Sequence, residues 1–529
     1  MDKVVLAIFY VHFLFYSLEL IHGSKLITSC ARTPYPEVCN YFIETNLLQT
    51  QYQTGTTFSF RDQSLLVTMN QAIKAHQMVS SMNFKSFDKK AKLAWDDCME
   101  LYEDTVDHLN RSLSSTIPID SQTWLSAAIA NQQTCQNGFI DLNLSYDDHL
   151  ESMPIMLSNL SMLLSNSLAV NKVSVPHNTK QVNGRRLLIF DGFPSWVSAT
   201  DRRLLQSSSG VAPKADIVVA QDGSGNYKTI TEAVAAAVKQ RSGSKRLVIY
   251  VKKGIYKENI EIKKSMKNLM FVGDGIDATI VTGSKNAKDG STTFRSATFA
   301  VSGQGFIAKG MTFENTAGPQ KHQAVALRSG SDFSVFYGCS FKGYQDTLYV
   351  YSQRQFYRDC DIYGTIDFIF GDAVAVLQNC NIYVRRPMNG QKNTVTAQGR
   401  KDPNENTGIV IHNSNVMATS DMRPVQGSFK TYLGRPWQKY SRTLFMKSNL
   451  DGLIDPAGWL PWSGNFALST LYYGEYMNTG SGASTARRVN WPGYHVITKA
   501  TDAGKFTVGN FLAGDSWIPG TGVPFDSGL

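Results

Sequence analysis

Past its first residues, this 529-residue chain has no apolar run long enough to cross a bilayer, which takes ~20 consecutive residues. No G-x-S-x-G stands at a strand-to-helix turn, so the usual serine elbow is missing. Histidines and cysteines do not gather at metal-ligand spacing, and neither a metal nor another cofactor is expected. The Gly-x-Gly at 223–225 lacks a third glycine and the Lys-Ser/Thr of a phosphate loop, which sets nucleotide binding aside. The length itself excludes a single ordinary domain.

What is present begins with a leader. Lys3, an apolar run from Val4 to Ser17, and the small residues Gly23 and Ser24 read as a secretion signal over 1–23. Seven cysteines fit an oxidising compartment. Cys30/Cys39 and Cys98/Cys135 are candidate bridges; Cys339, Cys360 and Cys380 form a ladder in which only neighbours can bond, leaving one free. Sequons at Asn110, Asn143 and Asn159 are glycosylation candidates. Residues 211–529 carry 36 Lys+Arg against 24 Asp+Glu, net +12, whereas the remainder is net −3. A basic C-terminal part in a secreted chain points to an acidic polysaccharide rather than nucleic acid, and to no membrane partner after signal cleavage.

Residues 24–175 read as a disulfide-stapled helical bundle. Ala94, Cys98, Leu101, Tyr102, Val106 and Leu109 recur at steps of three and four, as do Leu125, Ala128, Ile129 and Cys135. No titratable cluster stands out there. A linker over 176–212 holds two copies of one tetrapeptide, Arg185-Arg186-Leu187-Leu188 and Arg202-Arg203-Leu204-Leu205, which read as protease processing sites. From 213 the text changes: a strand over Asp216–Ala220, a helix over Thr229–Lys239, then short β-rich runs alternating with Gly/Asn/Asp turns to residue 529.

Within that region F-Y-G-C-S-F at 336–341, Y-R-D-C-D-I at 357–362 and L-Q-N-C-N-I at 377–382 repeat at intervals of 21 and 20 residues. A period of about 20 with strand-like flanks predicts stacked coils of a parallel β-solenoid. Asp346 in G-Y-Q-D-T-L-Y and Asp367 in Y-G-T-I-D-F-I-F-G each follow a cysteine by 7 residues. Equivalent positions in adjacent coils lie ~4.8 Å apart, so the repeat sets two carboxyls side by side. Like charge and burial raise one pKa while a cation keeps the other group ionised. Arg435 in Y-L-G-R-P-W is the candidate cation, able to hold a carboxylate with two hydrogen bonds. Gln345 and Gln323 supply neutral donors for an oxyanion.

The segments G-Y-Q-D-T-L-Y, Y-G-T-I-D-F-I-F-G, H-Q-A-V-A-L-R at 322–328 and L-G-R-P-W at 433–437 resemble the signatures of plant pectin methylesterases (pectinesterases). The likeness covers 213–529 closely; the N-terminal part more loosely resembles the invertase/pectin methylesterase inhibitor domain carried as a pro-region. The resemblance implies an all-β right-handed parallel β-helix preceded by an all-α, four-helix-bundle-like pro-domain, and hydrolysis of methyl esters in homogalacturonan (pectin). It implies Asp367 as nucleophile, Asp346 as proton donor and then base, Gln323 and Gln345 at the oxyanion, and Arg435 orienting Asp367. Thr293 and Trp437 would contact substrate, with Gln323 and Arg435 doing so as well. It also implies a Cys360–Cys380 bridge with Cys339 free, cleavage at the R-R-L-L copies by a subtilisin-like protease, a pro-region acting as inhibitor, and a cell-wall location. Tyr351 stands where a His is frequent and Ser414 where a Cys is common. The competing readings are a polysaccharide lyase or glycosidase on the same solenoid, since two carboxyls ~5 Å apart also suit a retaining glycosidase, and a non-catalytic wall-binding or inhibitor protein.

Overall fold

The structure, a computed structural model, describes residues 28–54, 58–81, 88–144, 154–174, 189–190, 193–194, 215–240 and 245–529. The signal segment and both R-R-L-L copies lie outside the described residues.

The N-terminal unit is built from helices α1 (Pro36–Thr54), α2 (Phe60–Ser81), α3 (Lys89–Ser114), α4 (Pro118–Asp141) and α5 (Pro154–Ser174). Asp88 starts α3 as its N-cap, its carboxylate accepting from the Ala91 N–H at 2.7 Å. The periodic stripe Ala94, Cys98, Leu101, Tyr102 and Leu109 is buried, as are Leu125, Ala128, Ile129 and Cys135 on α4. Bridges Cys98–Cys135 and Cys30–Cys39 are both formed, the first tying α3 to α4. Nearly every residue from Ser121 to Cys135 is buried. A helix buried all round needs cover on each side, and α4 has it: α3 on one side and the β-rich unit on the other.

That β-rich unit is a parallel β-helix. Beginning with Ile217–Val219 ahead of helix α6 (Ile230–Gln240), short strands stack into sheets of eleven, eight and seven strands, paired in parallel throughout. The inward track Phe336, Tyr357, Leu377, Ile411 and Phe445 runs coil to coil in register. Aromatic pairs reinforce it; Phe336 and Tyr357 stack at 4.9 Å.

One corner explains the cysteine repeat. Gly338, Asp359, Asn379 and Asn413 have φ of 56, 53, 60 and 52°, the left-handed region that Gly, Asn and Asp tolerate. Each is followed by a residue turned into the core: Cys339, Cys360, Cys380 and Ser414. Ser414 continues the ladder as a hydroxyl, accepting from the Cys380 N–H at 3.0 Å and donating to the His412 carbonyl at 2.9 Å.

The Cys360–Cys380 bridge implied by the resemblance is corrected here: Cys339, Cys360 and Cys380 are all free thiols. The Cys360 thiol donates to the carbonyls of Phe336 and Arg358, both at 3.3 Å, and that of Cys380 to Gln378 at 3.5 Å. The three thiols stack within reach of one another, and burial, followed by the hydrogen bonds of Cys339 and Cys380, pushes the Cys360 thiol well above its ordinary pKa.

The two units share a hydrophobic cluster in which Leu101, Ala128 and Phe139 meet Phe294, Tyr349 and Phe370.

Candidate active site

The site lies on the outer face of the seven-stranded sheet. Strand residues there alternate: Leu348 and Val350 enter the core while Tyr349 faces out. Leu348 pairs with Ile369, and Asp346 and Asp367 each precede their pair member by two residues, so the two aspartates occupy equivalent places in successive coils. The Asp346 N–H donates to the Ile366 carbonyl at 3.0 Å. Both aspartates are left-handed, with φ of 63 and 50°. The glycines of the second motif are steric: a Cβ on Gly364 would sit 2.2 Å from Cβ of Phe368, and one on Gly371, at φ 129°, 2.1 Å from the Val350 carbonyl oxygen.

Thr293, Gln323, Gln345, Asp346, Asp367, Arg435 and Trp437 all line one cavity of about 310 Å3. Arg435 grips Asp367, with Nη2 to Oδ2 at 2.6 Å and Nε to Oδ1 at 2.9 Å. Thr394 adds its hydroxyl to Oδ1 at 2.6 Å and accepts the Asp367 N–H at 2.9 Å. Asp367 is thus ion-paired to Arg435 and oriented by Thr394. Asp346 has no such support: among described residues none donates to its carboxyl. Burial pushes it well above the ordinary carboxylate range, Asp367 and Asp141 push the same way, and Arg435 opposes them. One neutral acid thus stands beside one carboxylate. The Ala324 N–H donates to the Gln345 carbonyl at 3.3 Å, which brings Gln323 and Gln345 together on adjoining coils. No described residue accepts from either side-chain amide, so both are available to an incoming oxygen.

Aromatic rings floor the cleft. Tyr349 and Phe370 stack at 4.2 Å, Trp437 meets Phe370 edge-on at 5.9 Å, and the Trp462 ring lies 4.4 Å from the Arg435 guanidinium carbon. Thr394 and Trp462 were not among the sequence candidates. Thr394 stands level with Asp367, since Ile369 pairs with Thr396. Trp462 comes from a loop with no periodic signal.

Residues of α4 roof the same cavity: Thr134, Asn137, Gly138, Ile140 and Asp141. The Asp141 carboxylate accepts the Thr293 N–H at 2.8 Å, and the Tyr351 hydroxyl donates to Asn131 at 2.6 Å. Beside the roof runs a row of ion pairs. Arg295 reaches Asp97 at 2.6 Å and Glu100 at 2.5 Å, and Lys264 reaches Asp104 at 3.0 Å and Asp107 at 2.9 Å. The expectation that the helical segment holds no titratable cluster is corrected: these four acids, spaced three, four and three residues apart, share one face of α3. The apolar stripe on the other face is what periodicity detects.

A paired-carboxyl cleft on a parallel β-helix fits a hydrolase. The pectinesterase family model matches residues 216–515, and the plant invertase/pectin methylesterase inhibitor model matches 25–170. The chain is 55% identical to a probable pectinesterase/pectinesterase inhibitor 6 of Arabidopsis thaliana, over 97% of this chain and 96% of that protein. It is 55% identical to pectinesterase 2 of Citrus sinensis over 94% of each. A solved pectin methylesterase from carrot is 60% identical with a TM-score of 0.59, covering 61% of this chain and 100% of its own. The chain belongs to the pectinesterase family, and its reaction is the de-esterification of pectin. All of the carrot chain is matched by 61% of this one, so a pectin methylesterase is known as a structure without an attached helical unit.

Proposed function

We propose that methyl esters of homogalacturonan are hydrolysed through a covalent intermediate on Asp367. Its open carboxylate oxygen attacks the ester carbonyl carbon. The carbonyl electrons move onto oxygen, where the amides of Gln323 and Gln345 stabilise the charge. As the tetrahedral species collapses, the C–O bond to the methoxy group breaks and Asp346 gives up its proton, releasing methanol and leaving an anhydride on Asp367. Asp346, now a carboxylate, takes a proton from water, whose oxygen attacks the anhydride. Asp367 departs as a carboxylate, Asp346 is protonated again, and a free uronic acid remains. Thr394 and Arg435 hold the nucleophile throughout, while Thr293, Trp437 and Trp462 position the sugar chain.

The observation that carries this reading is the pairing of an arginine-held Asp367 with an Asp346 whose burial keeps its proton. The decisive experiment is Asp367→Asn in the released β-helix unit. Methanol release from methylated pectin should drop by about a thousandfold or more with the melting temperature retained, and the wild type should create no new reducing ends. Unchanged turnover would remove Asp367 from the nucleophile's role.

The helical unit is an inhibitor held in cis. Its α4 residues occupy the cleft mouth, which supports a latent full-length chain. Cleavage in the 176–212 linker by a subtilisin-like protease at the R-R-L-L copies would free the enzyme, which acts in the cell wall after secretion.

A further inference from the structure

The turn Gly343-Tyr344-Gln345-Asp346 delivers two of the reacting groups, and it has a partner that the chemistry above does not use. Arg385 stands two coils further along the β-helix, 42 residues beyond Gly343. Its Nη1 donates to the Gly343 carbonyl at 2.9 Å and its Nη2 to the Tyr344 hydroxyl at 2.7 Å. The guanidinium carbon also lies 3.8 Å from the centre of the Tyr344 ring, a cation–π contact. The base of the side chain is fixed as well. The Arg385 N–H donates to the Gly364 carbonyl of the intervening coil at 2.8 Å, and the Arg385 carbonyl accepts from the Asn393 amide at 3.3 Å. A rigid fork rooted in one coil, with two donors fixed on a turn two coils away, acts as a clamp. Arg385 itself is not among the residues that line the catalytic cavity.

The second observation is which part of the turn needs holding. The turn is tight: a Cβ on Gly343 would sit 2.7 Å from the Thr347 hydroxyl oxygen. Its far side is pinned without Arg385. The Asp346 N–H donates to the Ile366 carbonyl at 3.0 Å, and the Thr347 hydroxyl donates to the carbonyls of Tyr344 and Tyr363 at 3.2 and 2.9 Å. Gln345 has the least support. The Ala324 N–H reaches its carbonyl at 3.3 Å, and among described residues nothing bonds its side-chain amide. The aim of that amide is therefore set by the residue before it, which is the one that Arg385 grips.

We infer that Arg385 is a positioning residue for the oxyanion donor: by holding Gly343 and Tyr344 it keeps the Gln345 amide aimed at the place where charge develops. This rests on the hydrolysis proposed above and adds to it a residue that acts through another. Preorganised donors stabilise a transition state because they need no reorientation when the charge appears. A misplacement of ~1 Å is enough to cost about a hundredfold in rate.

The test takes the full-length chain, cleaved in its 176–212 linker and freed of the helical unit, with methanol release from methylated pectin as readout. Gln345→Ala should lower kcat about a hundredfold. Arg385→Gln should lower kcat about tenfold while KM moves less than about twofold, because the lost aim matters only once charge develops. Arg385→Lys should recover part of that loss, since an ammonium still reaches one acceptor. Tyr344→Phe, which removes one acceptor and keeps the ring, should lower kcat about threefold. The deciding measurement is a double variant. Arg385→Gln placed on Gln345→Ala should lower kcat little further, because the amide it aims is already gone. Losses that multiply independently would make Arg385 a packing residue and overturn the proposal, as would an unchanged kcat in Arg385→Gln. Should Arg385→Gln lower the melting temperature, the same cycle run with Tyr344→Phe decides. Gln345→Ala at full kcat would remove the oxyanion role from the reaction and the clamp with it, whereas multiplying losses would sink the clamp and leave the reaction standing.

Discussion

In the β-helix, Phe336, Tyr357, Leu377, Ile411 and Phe445 share one inward track because each pairs with the next across parallel strands. In the helical unit, Ala94, Cys98 and Leu101 meet Leu125 and Cys135 because α3 packs on α4 and a disulfide pins the pair. The first unit is ordered by repetition and the second by complementary stripes and a covalent staple. Repetition carries a site with it, since whatever stands at one coil has a defined neighbour at the next. Stripes specify only the side that is buried and leave the opposite face unassigned until something docks against it.

The largest effect should come from separating the two units. If the β-helix is self-sufficient and the helical unit only occupies its cleft, cutting the linker and removing residues before 213 should raise methanol release on the order of a hundredfold, because a tethered blocker acts at ~mM effective concentration. Equal specific activity before and after removal would contradict the blocking role.

A smaller effect should appear where the distinction blurs. Asp332 belongs to the β-helix, yet it is shared. Arg354 holds it at 2.8 Å within its own unit, and Trp124 of α4 donates to it at 2.9 Å. Burial alone would raise its pKa, but Arg354 and Arg111 outweigh that and hold it down to about 2. Its carboxylate therefore stabilises the fold fully above its unfolded pKa near 4, and that contribution, about 2 kcal/mol, disappears as pH falls toward 2. Asp332→Asn takes away one of the two carboxylates on the buried Arg354, leaving Asp120, and should cost ~2–3 kcal/mol. The measurement is chemical denaturation of the full-length chain from pH 7 down to pH 2: the wild type should lose stability through that acid range, and the variant should start lower and lose less. Parallel curves would assign the acid sensitivity to other groups.

The smallest effect concerns cysteine. Helical cysteines are bridged and ladder cysteines are not. The denatured, unreduced chain should therefore label at three thiols, with little labelling while folded. A single reactive thiol would restore the Cys360–Cys380 bridge and weaken the contrast between the units.

What was legible in the sequence follows the same division. The Gly-Cys, Asp-Cys and Asn-Cys steps encode a left-handed corner, and the offset of seven residues from those steps carries Asp346 and Asp367 to adjacent places. The seven substrate-facing candidates converge on one cavity for the same reason. Thr394 escaped notice because its coil is longer, 27 residues beyond Asp367 rather than the regular 20 or 21. Trp462 escaped because its loop has no counterpart in neighbouring coils. The acid row on α3 was hidden by its own exposure in sequence terms: charges opposite an apolar stripe look like an ordinary wet face. Only the position of Lys264 and Arg295 on the other unit gives them a purpose.

The rings beneath the helical roof have a consequence for the released enzyme. Phe294, Tyr349, Phe370 and Trp437 are packed against α3 and α4 in the full-length chain, and the proposed departure of the helices would hand those faces to water. A sugar ring offers what a helix offered: flat C–H surfaces over the aromatics and oxygen atoms toward the rim. If the helical unit is released as proposed, the bared strip would suit a sugar chain, and one lid would give way to another that is consumed.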